Sequence, residues 1–377
     1  MSREIVIVGG GFAAQQLVKS LRKRDAQAPI RLVTADAGDE YNKPDLSHVM
    51  SRGMSASEMV RVSGPAFAEQ HSLALQPHCR VERIDRERQL LHTTDGEIPY
   101  GQLVLATGAK ARRPPFPGSD ALITLNSLQE YAAAQPALEA ARHVLVLGGG
   151  LIGCELAMDL ASSGRQVTLV DLAPSLLSAL LPAALAQPLH QALLAQGGRL
   201  CLGQAVASIT RNPAGAQVVL SHGERIACDQ VIAAVGLAPR TELAATAGLA
   251  VGRGIRVNSR LQTSDPVIFA LGDGIEWQGQ CLPFLQPIVL GANALAATLL
   301  GTPTELVLPP MLIKVKTPRY PIQLAGRTRG DDLRWQVEWD GAGLQAQALD
   351  ASGQPCGFVV GGNRMSAAFP LLRTLPR

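Results

Sequence analysis

Four apolar residues in a row, Ile5-Val6-Ile7-Val8, lie between Glu4 and a glycine. A strand covered by helices on both faces reads as such a continuous run rather than as an alternation, so the segment predicts the central strand of a parallel sheet. It feeds directly into Gly9-x-Gly11-x-x-Ala14. Leu17 and Leu21 then recur at helical spacing through Gln15 to Lys23, and Arg31-Leu32-Val33 supplies a second strand. The order repeats. His143-Val144-Leu145-Val146-Leu147 runs into Gly148-x-Gly150-x-x-Gly153, 139 positions after Gly9, and the strand Val167-Thr168-Leu169-Val170 ends on Asp171.

Strand, glycine turn and helix in immediate succession are what a dinucleotide site needs. Glycines allow the tight turn and the close backbone approach, and the helix N-terminus presents free N–H groups to a pyrophosphate. A single glycine pattern is a weak signal; two in the same context are not. Asp171 stands 23 positions beyond Gly148, where a carboxylate receives ribose hydroxyls and repels a 2′-phosphate. Leu172-Ala173-Pro174-Ser175 brings no arginine to hold such a phosphate, so NADH is favoured over NADPH. In the first copy the acid is Asp36, somewhat later than the usual place, and a surface acid in a βα loop is its competing reading. Glu155 has a competing reading too, as a solvated acid in the first turn of the second helix, favoured there by the helix dipole.

Length and composition agree with this organisation. At 377 residues the chain exceeds one ordinary core and predicts two or three domains, and 47% hydrophobic against 17% charged residues suits a globular α/β enzyme rather than a disordered chain. The net charge of +3 is too small to point to nucleic acid, but it is unevenly placed. From residue 311 onward nine Lys or Arg (Lys314, Lys316, Arg319, Arg327, Arg329, Arg334, Arg364, Arg373 and Arg377) face five acids (Asp331, Asp332, Glu338, Asp340 and Asp350). The six cysteines are scattered, the closest two 27 positions apart, which gives neither a zinc knuckle nor a vicinal dithiol and predicts reduced thiols in a cytoplasmic protein. No secretory leader is expected, and prolines and glycines cut the longest apolar stretches, so no membrane span is expected either.

Further segments fall in a familiar order. Tyr41-Asn42-Lys43-Pro44-Asp45-Leu46-Ser47 precedes Leu103-Val104-Leu105-Ala106-Thr107-Gly108; Val235-Gly236-Leu237-x-Pro239-Arg240 follows the second glycine turn, and Thr263-Ser264 leads to Ala270-Leu271-Gly272-Asp273. With Phe284-Leu285-Gln286-Pro287 and Lys314-Val315-Lys316-Thr317-Pro318, the chain resembles the FAD-dependent pyridine-nucleotide reductases, and among them the rubredoxin reductases, over nearly its whole length. The resemblance implies an α/β fold with two Rossmann-like nucleotide-binding domains of the glutathione-reductase type and a small α+β C-terminal domain. It divides the chain into a discontinuous FAD domain (1–112 and 242–310), an inserted NADH domain (113–241) and a C-terminal domain (311–377).

The same resemblance assigns residues. Gly9, Gly11, Phe12 and Ala14 belong to the FAD pyrophosphate turn, with Asp36 near the ribose and the backbone of Val81 at the adenine. Lys43, Pro44, Ala106, Thr107 and Gly108 border the flavin; Gly272, Asp273 and Pro287 do so from the far end of the domain, Asp273 at the ribityl chain. Gly148, Gly150, Leu151, Ile152, Gly153, Asp171 and Gly236 fall to NADH. Lys43, His48, Glu155 and Lys316 are the candidates for tuning the flavin. Relatives often carry lysine after Leu-Ser, paired with the glutamate of the second glycine motif; this chain has His48, so His48 or Lys43 is expected to approach Glu155, and simple packing or capping is the other reading of His48. Lys316 is expected to bring a cation toward the flavin pyrimidine or to be a solvated strand lysine. Gly274 stands where relatives often have cysteine.

The chemistry implied is hydride transfer from NADH to FAD, which needs positioning and charge stabilisation rather than a nucleophile or a metal. Reduced flavin releases electrons singly, which suits rubredoxin or the rubredoxin domain of a flavorubredoxin in nitric oxide detoxification, met transiently on the basic C-terminal surface. Two other functions remain open at this point: reduction of a ferredoxin or a disulfide, and NADH sensing through conformation.

Overall fold

The computed structural model describes residues 4–213 and 215–376, so Arg377 of the basic C-terminal series lies outside the described residues. The chain forms two compact units. The first takes the chain up to Lys43 with Glu58–Lys110 and Leu237–Leu308; the second takes Pro44–Ser57, Ala111–Gly236 and the chain from Pro309 onward.

In the first unit Ile5–Val8 is the middle strand of a five-stranded parallel sheet, flanked by Gln102–Leu105 and then Ile268–Ala270 on one side, and by Ile30–Val33 and then Ala74–Gln76 on the other. All four of its residues are buried, as the uninterrupted apolar run requires. The Phe12–Arg24 and Leu285–Leu299 helices cover one face around Leu17, Leu21, Ala292 and Leu295. Leu91, Tyr100 and Ala244 help to close the other. At roughly 1.5–3 kcal/mol for each large apolar side chain taken fully out of water, these two layers dominate the stability of the unit.

The second unit repeats the motif. His143–Leu147 pairs in parallel with Gln166–Asp171 and Gln230–Ala233, and Arg199–Leu202 extends the sheet beyond Gln166–Asp171. The C-terminal segment adds a five-stranded antiparallel sheet ordered Ile313–Val315, Ile322–Gly326, Pro355–Gly362, Gly343–Leu349 and Arg334–Trp339. Strand alternation gives this sheet two apolar faces. Phe358 and Val360 meet the Ala368–Thr374 helix. Val315, Ile322, Leu324 and Val359 instead join the core built by the Leu151–Ser162 and Ala183–Ala195 helices. Among the described residues no helix is long and apolar enough to cross a membrane.

Candidate functional site

Each glycine turn is shaped by the strand end beside it. Gly9 has φ +116°, and a Cβ there would lie 2.3 Å from the Ala106 carbonyl oxygen; Gly148 has φ +110°, with the Ala234 oxygen 2.5 Å away. Side chains are excluded at both places on two counts, conformation and space. The second glycine of each motif is different. Gly11 and Gly150 begin their helices at φ −76° and −74°, a conformation open to any residue, and nothing lies within 4 Å of a Cβ built on either. Neither helix has a capping side chain or an acid in its first turn. The first-turn N–H groups are thus left for an outside acceptor, the arrangement by which a helix N-terminus can receive a phosphate.

The two candidate ribose acids occupy matching places. Asp36 lies against Gly10, and its carboxylate accepts hydrogen bonds from the Thr34 hydroxyl (2.6 Å) and the Gly38 amide (2.9 Å). Asp171 lies against Gly149 and accepts from the Gly149 and Ala173 amides. Both carboxylates therefore hold their own loops and keep lone pairs for further donors. The His78 and Cys79 amides bond to the Asp36 and Thr34 carbonyls, which anchors the strand beginning at Val81 beside the same loop. Ala106 bonds back to Val8, and the Thr107 hydroxyl donates to the Arg240 carbonyl across the exit of that strand. Gly272 sits against Ala13, Asp273 lies 3.6 Å from the Lys43 ammonium, and Pro287 is buried in the first turn of its helix.

The second unit gathers a carboxylate centre. Glu155, 3% exposed, is not a solvated first-turn acid. One oxygen accepts from the Ser47 hydroxyl at 2.6 Å, the other from the Lys316 amide at 2.7 Å, and His48 Nε2 stands 3.7 Å away. His48 is thus the candidate cation that the second unit places beside Glu155, while Lys43 pairs with Asp273. His48 Nε2 is buried and has no hydrogen-bond partner, and at 3.7 Å the Glu155 carboxylate lies beyond hydrogen-bond reach. Lys316 meets the centre through its backbone, and its side chain is exposed.

Sequence reasoning missed Asp159. One helical turn beyond Glu155 and fully buried, it accepts from the Met50 and Ser51 amides and the Ser51 hydroxyl, and so caps the short Val49–Arg52 helix from another element. Burial pushes its carboxyl above the ordinary aspartate range, with the Ser51 and Met50 donors pulling the other way. The i, i+4 pair Glu155 and Asp159 was the available signal, since two acids on the apolar face of a helix need partners. The six cysteines are free. Burial raises the Cys154 thiol strongly and pushes that of Cys228 up to about 11, so both are inert.

Comparison with known proteins follows the same division. The family model described as pyridine nucleotide-disulphide oxidoreductase matches residues 3–288. The chain belongs to that family. A second model, described as the rubredoxin binding C-terminal domain, matches residues 305–375. Among curated members the chain is 67% identical to the nitric oxide reductase FlRd-NAD(+) reductase of Aeromonas hydrophila subsp. hydrophila, covering 100% of this chain and 97% of that one. It is 51% identical to the protein of the same name in Pectobacterium atrosepticum, covering 100% and 99%. Among solved members, the ferredoxin reductase for the CYP199A2 system from Rhodopseudomonas palustris superposes with TM-score 0.90 at 27% identity, over 100% of this chain and 96% of that one. Putidaredoxin reductase in its covalent complex with putidaredoxin gives 0.87 at 25%, over 99% and 94%. Pyridine nucleotide-disulphide oxidoreductases of this shape include members named for protein electron acceptors, so the family name imposes no disulfide on this chain.

Proposed function

We propose that this chain is a cytoplasmic FAD-dependent NADH reductase whose electrons go to a rubredoxin-type iron centre, that of the rubredoxin domain of a flavorubredoxin in nitric oxide detoxification. The observation that carries the reading is the conjunction, in one chain, of two open glycine cradles with a C-terminal segment matching a rubredoxin-binding domain. High identity to reductases named for flavorubredoxin over full length supports the same acceptor. The proposed domains are 1–112 with 242–310 for FAD, 113–241 for NADH and 311–377 for the acceptor.

Bound FAD supplies the chemistry, taking a hydride from NADH and giving up electrons one at a time. The chain supplies position and charge. Gly9, Gly11 and the first turn after Phe12 hold the FAD pyrophosphate, with Ala14 letting the helix pack close and Asp36 taking the ribose. Gly148, Gly150, Gly153 and Asp171 do the same for NADH, with Leu151 and Ile152 in the first turn and Gly236 at the opposite strand end. Lys43 and Asp273 form a pair whose members serve the flavin, with Ala106 to Gly108, Gly272 and Pro287 and, next in the chain to Lys43, Pro44, while the backbone of Val81 meets the adenine. Glu155 is held in place by two donors, and His48 beside it is placed to hold or move a proton at Nε2. Lys316 adds positive charge. Reduction of disulfides by a vicinal dithiol is disfavoured by the wide spacing of the six cysteines, and Cys154 and Cys228 are buried besides.

The test is acceptor choice. The purified yellow protein is reduced with NADH without oxygen and mixed with rubredoxin, ferredoxin or a disulfide. Reoxidation fastest with rubredoxin is expected; preference for either other acceptor refutes the assignment.

A further inference from the structure

The two glycine cradles hold their middle glycines in different ways. In the first, the Gly10 carbonyl accepts the side-chain amide of Gln15, from the helix that follows, at 3.0 Å. In the second, the Gly149 carbonyl accepts the backbone amide of Leu177 at 2.7 Å and the thiol of Cys154 at 3.3 Å, and the missing Cβ of Gly149 leaves room for the Leu176 side chain. A separate loop, Ser175 to Leu181, thus forms one wall of the second cradle. Leu177 sits in it at φ +54°, a left-handed conformation unfavourable for leucine, with its side chain fully buried. Such a residue keeps its conformation only where the surroundings over-determine it. Two polar anchors do so here. The Leu176 amide ends on Nε2 of His190, from the Ala183–Ala195 helix, at 3.0 Å, and the Leu180 carbonyl accepts the Thr328 hydroxyl at 2.5 Å.

We infer that His190 is a positioning residue for NADH: as a neutral acceptor it fastens the Ser175 to Leu181 loop against Gly149, and the second cradle loosens its hold on the NADH pyrophosphate when Nε2 takes a proton. The inference rests on the assignment of that cradle to NADH made above. An imidazole accepts at Nε2 only when unprotonated there, so the hydrogen of the neutral ring sits on Nδ1. Protonation turns the acceptor into a donor aimed at another donor, and the buried Leu176 amide loses its partner. The left-handed Leu177 next to it then has one support fewer, and its own amide is the bond that holds the Gly149 carbonyl. The ring is buried, and its helix carries no charged residue. None of Asp171 before the loop, Glu155 and Asp159 of the Leu151–Ser162 helix, Arg199 and Cys201 of the Arg199–Leu202 strand, or Arg327 beside Thr328 acts on it. Burial alone favours the neutral form and pulls its titration below the ordinary histidine value. The bond from Gln15 to Gly10 involves no titrating group, so the first cradle is indifferent to the same change.

The experiment uses the FAD-loaded full chain and ADP-ribose, which carries the pyrophosphate and adenosine of NADH but no nicotinamide and so cannot reduce the flavin. Its dissociation constant is measured by calorimetry between about pH 5 and about pH 8 for wild type, His190→Gln and His190→Leu. Glutamine brings a non-titrating acceptor near the place of Nε2, and leucine brings none. At about pH 7.5 His190→Leu is expected to weaken ADP-ribose about tenfold and His190→Gln to stay within about twofold of wild type. As the pH falls, wild type should weaken toward the level of His190→Leu while both variants stay level. The limiting rate of flavin reduction at saturating NADH should be alike in all three at about pH 7.5, since the loop grips the nucleotide and takes no part in hydride transfer. ADP-ribose affinity of His190→Leu within about twofold of wild type overturns the inference. So does an acid-side weakening as steep in His190→Gln as in wild type, or a limiting rate that falls along with affinity. Should His190→Leu not fold, the comparison of wild type with His190→Gln across pH decides the matter. Wild type that neither binds ADP-ribose nor is reduced by NADH is a different result and refutes the assignment of the cradle rather than the part played by His190.

Discussion

Asp159→Ala tests how the second unit holds the segment that presents Ser47 and His48 to Glu155. The Met50 and Ser51 amides and the Ser51 hydroxyl all end on this carboxylate, and His48 at the start of the Val49–Arg52 helix offers no capping side chain. Hydrogen bonds to a charged group contribute about 1.5–3 kcal/mol each, and two lost amide bonds at the low end total about 3 kcal/mol. The desolvation that raises Asp159 offsets part of this, leaving about 2–3 kcal/mol, or about 30- to 150-fold in a local opening equilibrium. Hydrogen exchange resolved over residues 44–57 is the assay, since local opening is read there without assuming that the two units melt together. Exchange within threefold of wild type would refute the reasoning. Asp159→Asn adds a pH signature. An acid raised in the fold stabilises fully below its unfolded value of 3.8, and that contribution is lost as pH rises through the folded value. Asparagine does not titrate, so its stability relative to wild type should improve from about pH 4 to neutrality. A flat or opposite difference would contradict the raised value.

Gly11→Ala should leave the apo chain as stable as wild type, because the Cβ meets nothing, yet lower FAD affinity by about tenfold or more as measured by flavin titration. Gly9→Ala, facing the Ala106 oxygen at 2.3 Å, should lower the melting temperature as well; equal stability of the two variants would count against the cradle. In Gly153→Ala the new Cβ would approach the Gly148 oxygen at 1.8 Å, so NADH affinity should collapse while FAD remains bound, which equilibrium titration of each cofactor separates. Ser47→Ala removes one bond to Glu155 and should cost about 1.5–3 kcal/mol of local stability, visible as faster exchange in the same 44–57 segment; no change would mean that Lys316 and His48 alone hold the carboxylate.

What could be read from the chain alone was whatever its neighbours along the chain decide. Ile5–Val8 and His143–Leu147 are buried strands because they are unbroken apolar runs, and each hands over at once to a glycine whose conformation the turn requires. Interactions within a few residues fixed both cradles, and Asp171 followed from the length of one strand–helix–strand unit. The centre at Glu155 is of another kind. Its donors come from Ser47, 108 positions away, and from Lys316, 161 positions away, and no periodicity links them. A helix shows which acids lie on its inner face but not what meets them. Nothing near Asp159 in the chain marks the Val49–Arg52 segment that it caps. The edge strand Arg334–Trp339 of the C-terminal sheet follows the same logic: alternation put Trp335, Val337 and Trp339 on one face, but only the packed sheet showed that the covering helices stop short of Val337 and Trp339. Sequence wrote the two nucleotide cradles, because backbone conformation and burial period are local; tertiary packing alone decided which distant groups complete the carboxylate and which apolar side chains stay uncovered.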